Sequence, residues 1–215
     1  MTATYVQKQL TAWGLTKQSA KGAPVATPSF VGGGVMGGQV VTSTISSAYD
    51  SVTLAGAADD RFAPNVYRTQ VLTGANLQLR MTPKGISSLF YAALGTNAGA
   101  STTHTSTPAA SLNYYSLMAQ FGGVPEGFRL SDAKVDSLKL SLKGSEPATL
   151  DLNMSGCTPG LDFAAWTATN DETGAVSMTP VGGTFTLDTN ATPAATAVVV
   201  TGLDLEIKNN VQPIW

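Results

Sequence analysis

The sequence has 215 residues, which suits a single domain with a substantial core. Only 12% of the residues are charged, about half the usual share in a soluble domain. The formal net charge of −2 argues against binding to nucleic-acid phosphates, and the single cysteine, Cys157, excludes an intrachain disulfide and a cysteine-rich zinc site. This composition favours a strand-rich chain whose outer faces meet other subunits, although a genomic bias toward alanine and threonine would also explain it.

The N-terminal segment provides neither a targeting motif nor a convincing cofactor motif. Residues 1–15 lack a continuous apolar core, which indicates no secretory signal and synthesis in the cytoplasm. Within them, Tyr5–Leu15 permits a short helix. Gly32, Gly34 and Gly37 match the spacing of a dinucleotide-binding loop, but prolines precede them and a β-like run follows, so a linker or bulged strand is favoured.

The next stretch is rich in β-branched and alternating residues. It predicts strands at Gln39–Ile45 and Ser51–Leu54, a loop at Ala55–Asn65, and a hairpin of Val66–Thr73 and Ala75–Thr82 that turns at Gly74. The loop contains Asp59, Asp60, Arg61 and Phe62. Paired carboxylates can bind a metal ion, but no further ligands are close in sequence, so a solvated loop is favoured.

At Pro83 the hydrophobic period changes to that of a helix. Thr82 suits the N-cap, Pro83 the first helical position and Gly95 the C-terminal end. An apolar stripe that could cover a sheet consists of Ile86, Leu89, Phe90, Ala93 and Leu94. We therefore expect one flanking helix at about residues 83–94.

The following residues contain two features that would matter in an enzyme. The turn-rich stretch Thr96–Ala110 holds the only histidine, His104, which cannot alone form a two-histidine metal site. After a predicted strand at Ser111–Phe121, Ser131 and Lys134 match the S-x-x-K motif of penicillin-recognising enzymes, but they introduce a strand and the companion motifs are missing. We expect no enzyme activity, no cofactor and no metal.

The chain is organised around a hairpin at residues 132–156, in which both arms alternate strictly between apolar and polar side chains. Leucine and methionine form one face. The opposite face is expected to consist of Ser137, Lys139, Ser141, Lys143, Thr149, Asp151 and Asn153, with pairing between lysine and aspartate across the strands.

Beyond Cys157 the pattern is weaker. Thr158–Gly174 predicts irregular structure, and Thr184–Asp188 and Ala197–Lys208 predict strands. The apolar run Ala197–Val200 is much too short to cross a membrane, so no membrane insertion is expected. Together these elements predict a mainly β fold, an antiparallel sandwich or barrel with one flanking α-helix.

The segment from Gly74 to Pro159 resembles the tail tube (major tail) proteins of long-tailed bacteriophages. The shared features, in order, are the Pro-started helix ending in Leu-Gly at 83–95, the small-residue stretch ending in His-Thr at 101–105, the Gly122-Gly123 pair, the K-V-x-S-L-x-L-S hairpin from Lys134, and a partner strand leading to Gly156 and Pro159. Residues 14–17 and 22–25 are similar to the opening of that family, and Leu203–Val211 to its closing strand. Thr158–Pro180 departs from the pattern.

The resemblance implies a single domain over residues 1–215, with an N-terminal extended arm at 1–38, a strand and loop region at 39–74 used in ring stacking, and a variable loop at 157–182. It implies self-assembly into stacked, hexameric rings that form a hollow tube in the virion tail after assembly in the host cytoplasm. The other partners would be the tape-measure protein, the tail terminator and the distal tail or baseplate proteins, with viral DNA only as passing cargo.

Within this interpretation, we expect the polar face of the central hairpin to line the lumen or a subunit interface. Asp59, Asp60, Arg61 and Phe62 are the candidate stacking loop, and Gly38–Asn65 is expected to be mobile in the monomer and ordered by stacking. Two alternatives stay open: a tube or ring component of a contractile injection device, a tail terminator or a neck, and a monomeric β-sandwich that binds carbohydrate or a cell surface.

Overall fold

The computed structural model describes residues 10–25, 38–54, 65–82, 86–100, 103–121, 127–156, 158–162, 178–179 and 202–211. The first strands in these ranges are β1 (Leu10–Lys17), β2 (Gly38–Leu54) and β3 (Asn65–Met81). The helix α1 (Ile86–Leu94), the small strands β4 (Gly95–Ala100) and β5 (Thr103–Pro108), and strand β6 (Tyr115–Phe121) follow. The last strands are β7 (Gly127–Lys143), β8 (Thr149–Ser155), β9 (Thr158–Asp162) and β10 (Gly202–Lys208).

All pairs between the described strands are antiparallel, and the long strand β7 belongs to two halves of one sheet. Its first part pairs with β6 and β9, and β1 continues that half beyond β6. Its second part pairs with β8 and β10, and β3 and β2 continue that half beyond β8. The predicted fold class, mainly β and antiparallel with one helix, is confirmed.

The two halves meet at a corner that is visible in the backbone. Asp132 on β7 has a φ of 58°, and Gly156, between β8 and β9, has a φ of 76°. The two residues lie at the same position along the ribbon that β7 forms with β8 and β9. The pairs that flank this position are Ser131 with Thr158 and Lys134 with Ser155. Left-handed residues of this kind break the flat ladder and bend a two-stranded ribbon.

Hydrogen bonds from the segment after β1 hold the corner in place. The Asp132 amide donates to Gln18 Oε1 at 2.9 Å, and the Gly22 amide donates to Asp132 Oδ1 at 2.7 Å. Further along, the Val25 amide donates to Ser116 Oγ on β6 at 3.1 Å. Residues 18–25 therefore run across the corner and connect it to the first half of the sheet.

A single core lies between the two halves and the helix. Its members from the first half include Trp13, Leu15, Tyr115, Leu117 and Leu130, and those from the second half include Leu77, Leu79, Leu150, Leu152 and Met154. Helix α1 adds Leu89, Ala92 and Ala93, with Ile86 and Phe90 at the margin. Four of the five residues of the predicted stripe therefore belong to this core or pack against it; Leu94 does not, and Ala92 is buried in addition. The predicted start at Pro83 lies outside the described residues.

The prediction of a hairpin that turns at Gly74 is wrong. Strand β3 passes straight through this glycine, which faces Ser46 on β2 and Ser155 on β8. The period of two is unbroken across it, since Thr73, Ala75, Leu77, Leu79 and Met81 are all buried. One glycine without a second turn residue does not reverse a chain when the alternation continues on both sides.

Strand β2 also runs without a break where two strands were predicted. It covers Gln39–Ile45, Ser51–Leu54 and the residues between them, with irregular register at Val40–Thr42 and Asp50–Ser51. The predicted loop at Ala55–Asn65 lies outside the described residues apart from Asn65, which begins β3.

Three segments predicted to be helical or irregular are strands. The part of Tyr5–Leu15 that the structure describes belongs to β1, because pairing with β6 and burial of Trp13 and Leu15 override a weak helical pattern. Within the turn-rich stretch Thr96–Ala110, residues 96–100 and 103–108 pair as the β4–β5 ribbon. Thr158–Asp162 forms β9 by continuing the pairing of β8 along β7.

Candidate functional surface

The second half of the sheet has one apolar face and one polar face. On β8 the burial alternates strictly, with Leu150, Leu152 and Met154 buried against the core. The opposite face, which we call the polar face, is defined by Asn76, Gln78 and Arg80 on β3, Ser137, Lys139, Ser141 and Lys143 on β7, Thr149, Asp151 and Asn153 on β8, and Asp204, Glu206 and Lys208 on β10.

All seven residues predicted to form the polar side of the central hairpin lie on this face. The register places them in rows that cross the strands: Ser137 lies between Asn153 and Lys208, Lys139 between Asp151 and Glu206, and Ser141 between Thr149 and Asp204. Directly opposed residues on adjacent strands share a face and are close enough to interact. The structure therefore joins the predicted residues into one surface.

The first row is held by amide groups. Asn76 Nδ2 donates to Asn153 Oδ1 at 2.5 Å, and Asn153 Nδ2 donates to Ser137 Oγ at 2.9 Å. These contacts leave Ser137 only 8% exposed although it belongs to the polar face. Three strands are therefore connected by side chains as well as by the backbone.

Ion pairs connect each row with the next. Lys139 Nζ lies 3.6 Å from Asp204 Oδ2, and Lys208 Nζ lies 3.2 Å from Glu206 Oε2. Ser141 Oγ donates to Asp204 Oδ1 at 2.5 Å. This hydrogen bond, assisted by Lys139, lowers the pKa of Asp204, so the carboxylate stays ionised at neutral pH.

The polar face as a whole is nearly neutral. Positive charge comes from Arg80, Lys139, Lys143 and Lys208, and negative charge comes from Asp151, Asp204 and Glu206. The sequence predicted a lysine–aspartate pair within the hairpin, whereas the ion pair of Lys139 is made with Asp204 on β10. Cations and anions therefore alternate over the surface instead of forming a single-sign patch.

The acidic residues of β10 were absent from the sequence-based candidate set. The alternation of Asp204, Glu206 and Lys208 with Leu203, Leu205 and Ile207 was visible in the sequence. Local pattern could not reveal which strand would lie beside β7, because that pairing joins residues separated by more than sixty positions. The same limit applies to Asn76, Gln78 and Arg80 on β3.

The strands at the two ends of this half-sheet have open edges among the described residues. Strand β10 pairs only with β7, and β2 pairs only with β3. On the apolar side of β10, Leu205 is 48% exposed, so a large apolar side chain is accessible on this edge strand within the described part of the chain. The backbone of each edge is free, within the described part of the chain, to pair with another strand.

The remaining candidate residues have different outcomes. The candidate stacking loop, Asp59, Asp60, Arg61 and Phe62, lies outside the described residues. Ser131 and Lys134 lie on strand β7 instead of a helix, so they lack the arrangement of the penicillin-recognising enzymes. The backbone of His104 lies in β5. Among the described residues, no group of three or more histidine, cysteine, aspartate or glutamate side chains could hold a metal ion.

In the part of the chain that the structure describes, no helix has the length and apolar character needed to cross a membrane. A scan against protein-family models finds no match to the chain. A search of curated proteins finds no significant similarity.

Proposed function

We propose that this protein is a structural subunit that self-assembles into stacked rings, forming the hollow tail tube through which a long-tailed bacteriophage delivers its DNA. In this proposal the rings are hexameric, and the polar face lines the lumen. The tape-measure protein, the tail terminator and the distal tail or baseplate proteins are its other partners. The mature location is the virion tail, after assembly in the host cytoplasm.

The observation that supports this proposal is a nearly neutral polar face bounded by two strand edges that have no further partner among the described residues. A face of Ser, Thr, Asn and alternating charges presents hydrogen-bonding groups without a basic patch that would hold phosphate. The edges of β10 and β2 lie at opposite ends of the same half-sheet. Pairing of unlike edges between copies is a heterologous contact, and such contacts close into rings when the rotation permits.

The apolar side of β10 provides the position for the test. Leu205 and Met178 are both exposed large hydrophobic residues, with exposures of 48% and 39%, but only Leu205 lies on the edge strand. Leu205→Lys places a charge where a neighbouring strand would pack, and charge on an edge opposes strand addition. Met178→Lys introduces the same charge elsewhere and is the matched control.

We expect negative-stain electron microscopy and light scattering to show rings or hollow tubes for the wild type and Met178→Lys. Leu205→Lys should remain small in mass while keeping its β-sheet circular dichroism and its melting transition. A wild-type protein that stays monomeric at every concentration would contradict self-assembly. Tubes of unchanged yield from Leu205→Lys would show that β10 is not an assembly edge.

A further inference from the structure

The polar face contains the components of a nucleic-acid-binding surface as well as the groups that neutralise them. Without its carboxylates it would present Arg80, Lys139, Lys143 and Lys208 on adjacent strands. Basic side chains gathered on one face are the usual electrostatic footprint of DNA binding. The side chains of Lys139 and Lys208 are 39% and 63% exposed, so both could reach a phosphate.

The acidic residues of β10 lie where they offset these cations. Asp204 reaches the ammonium group of Lys139, and Glu206 reaches that of Lys208. Glu206 is also the direct cross-strand neighbour of Lys139, which has Asp151 on its other side. Ser141 fixes the orientation of Asp204 through its hydroxyl group. Each of these two lysines therefore has a carboxylate within ion-pairing distance.

Stability does not account for this arrangement. The pairs are exposed, and the Asp204 side chain is 54% accessible to solvent. Exposed ion pairs contribute little to folding because water screens the charges and the side chains lose conformational freedom. The larger physical effect of the carboxylates is on the electrostatic potential above the face, and thus on any polyanion that approaches it.

We infer that Asp204 and Glu206 are specificity residues that neutralise Lys139 and Lys208 and so prevent the polar face from retaining the phosphate backbone of duplex DNA. This inference rests on the proposed function, because it takes DNA as the cargo that passes the face. It goes further than the proposed function because it assigns the neutralisation of the lysines to one strand, β10. Without that neutralisation, the same face would bind DNA instead of letting it pass.

The test compares two variants that carry the same change in net charge. Asp204→Asn combined with Glu206→Gln removes two negative charges from the polar face while keeping similar side-chain shapes, so the net charge rises by two. Ala110→Lys adds one positive charge in the segment after β5, and Glu146→Gln removes one negative charge in the turn between β7 and β8; both positions are exposed, and together they also raise the net charge by two. Binding of a fluorescently labelled duplex of about 20 base pairs is measured by anisotropy over a range of salt concentrations.

The face variant should bind the duplex more tightly than the wild type and the control. Each unmasked cation that contacts a phosphate makes the slope of log affinity against log salt concentration more negative by about 0.9. With two unmasked cations, the gained affinity should fall about tenfold between about 50 and 200 mM salt. Adding Lys139→Gln and Lys208→Gln to the face variant should abolish the gain.

Equal affinities for the face variant and the wild type would overturn the inference. An equal gain in the control would also overturn it, since net charge alone would then explain the binding. If the face variant loses its melting transition, Glu206→Gln against Glu146→Gln provides the same comparison with one charge each. Binding is measured with every protein, wild type included, carrying Leu205→Lys, which we expect to keep the chain unassembled. A failure of tube formation, scored by electron microscopy, therefore remains distinguishable from a failure of neutralisation.

Discussion

At the scale of single residues, Asn209 connects three parts of the fold. Its Nδ2 donates to the Ala93 carbonyl at 2.8 Å and to the Val135 carbonyl at 3.0 Å, and its backbone amide donates to the Asp136 carbonyl at 2.7 Å. Ala93 lies in the last turn of α1, where carbonyls lack helical partners, and Val135 lies at a register shift between β7 and β8. Asn209 therefore satisfies two acceptors that regular structure leaves open.

We predict that Asn209→Ala lowers the free energy of unfolding by about 1–3 kcal/mol, because two partly buried carbonyls lose their donor. Asn210→Gly is the control: Asn210 has a φ of 48°, a conformation that glycine adopts freely, so its replacement should change stability by less than about 0.5 kcal/mol. Urea denaturation of both variants measures the difference. Equal stabilities would mean that water replaces the Asn209 amide without loss.

At the scale of elements, the junction of α1 and β4 depends on Gly95. This residue has a φ of 94° and ends the helix as a C-terminal glycine, as the sequence predicted. A Cβ atom at this position would lie 2.7 Å from the Ala109 side chain, and the Ala109 amide donates to the Leu94 carbonyl at 2.8 Å. The helix end and the base of the β4–β5 ribbon are therefore packed too closely for any side chain.

We predict that Gly95→Ala destabilises the protein by more than about 1 kcal/mol, since backbone strain and a steric clash add. Gly22→Ala separates these effects: Gly22 has a φ of 76°, but among the described residues other than Gly22 and its chain neighbours no atom lies within 4 Å of the position that a Cβ would occupy there. Thermal unfolding should show the larger loss for Gly95→Ala. If Gly95→Ala and Gly22→Ala lose the same stability, backbone strain alone explains the destabilisation, and the Ala109 side chain moves away from the new Cβ at no cost.

Hydrophobic periodicity and helix-capping residues predicted the elements whose structure depends on neighbouring residues. They failed for the elements whose structure depends on pairing between distant strands. The alternation of the central hairpin and the helix ending at Gly95 follow from neighbouring residues. The continuous strand through Gly74 and the placement of β10 beside β7 depend on long-range pairing. For the same reason the sequence indicated a polar face on β7 and β8, including Asp151, but not the carboxylates that β10 adds to it.

At the scale of the whole molecule, the β2–β3 ribbon extends beyond the rest of the sheet. Strand β8 covers β3 only from Gly74 to Arg80, whereas β2 follows β3 to its first residue, Asn65. Ser47–Leu54 and 65–73 therefore form a two-stranded stretch without a third strand among the described residues. Two-stranded ribbons are marginally stable in water, so this stretch should open more readily than the central hairpin.

We therefore predict that amide hydrogen exchange of Ser47–Leu54 slows by about tenfold or more when the protein assembles, because contacts between rings remove the opened states. The β7–β8 hairpin is the internal control, since its core-facing residues Leu138, Leu150 and Leu152 are already buried in one chain. Exchange is compared between the unassembled Leu205→Lys variant and wild-type tubes. Equal protection of Ser47–Leu54 in both would contradict a role of this ribbon in stacking. Slower exchange there, with the hairpin unchanged, would place the ring contacts on the ribbon.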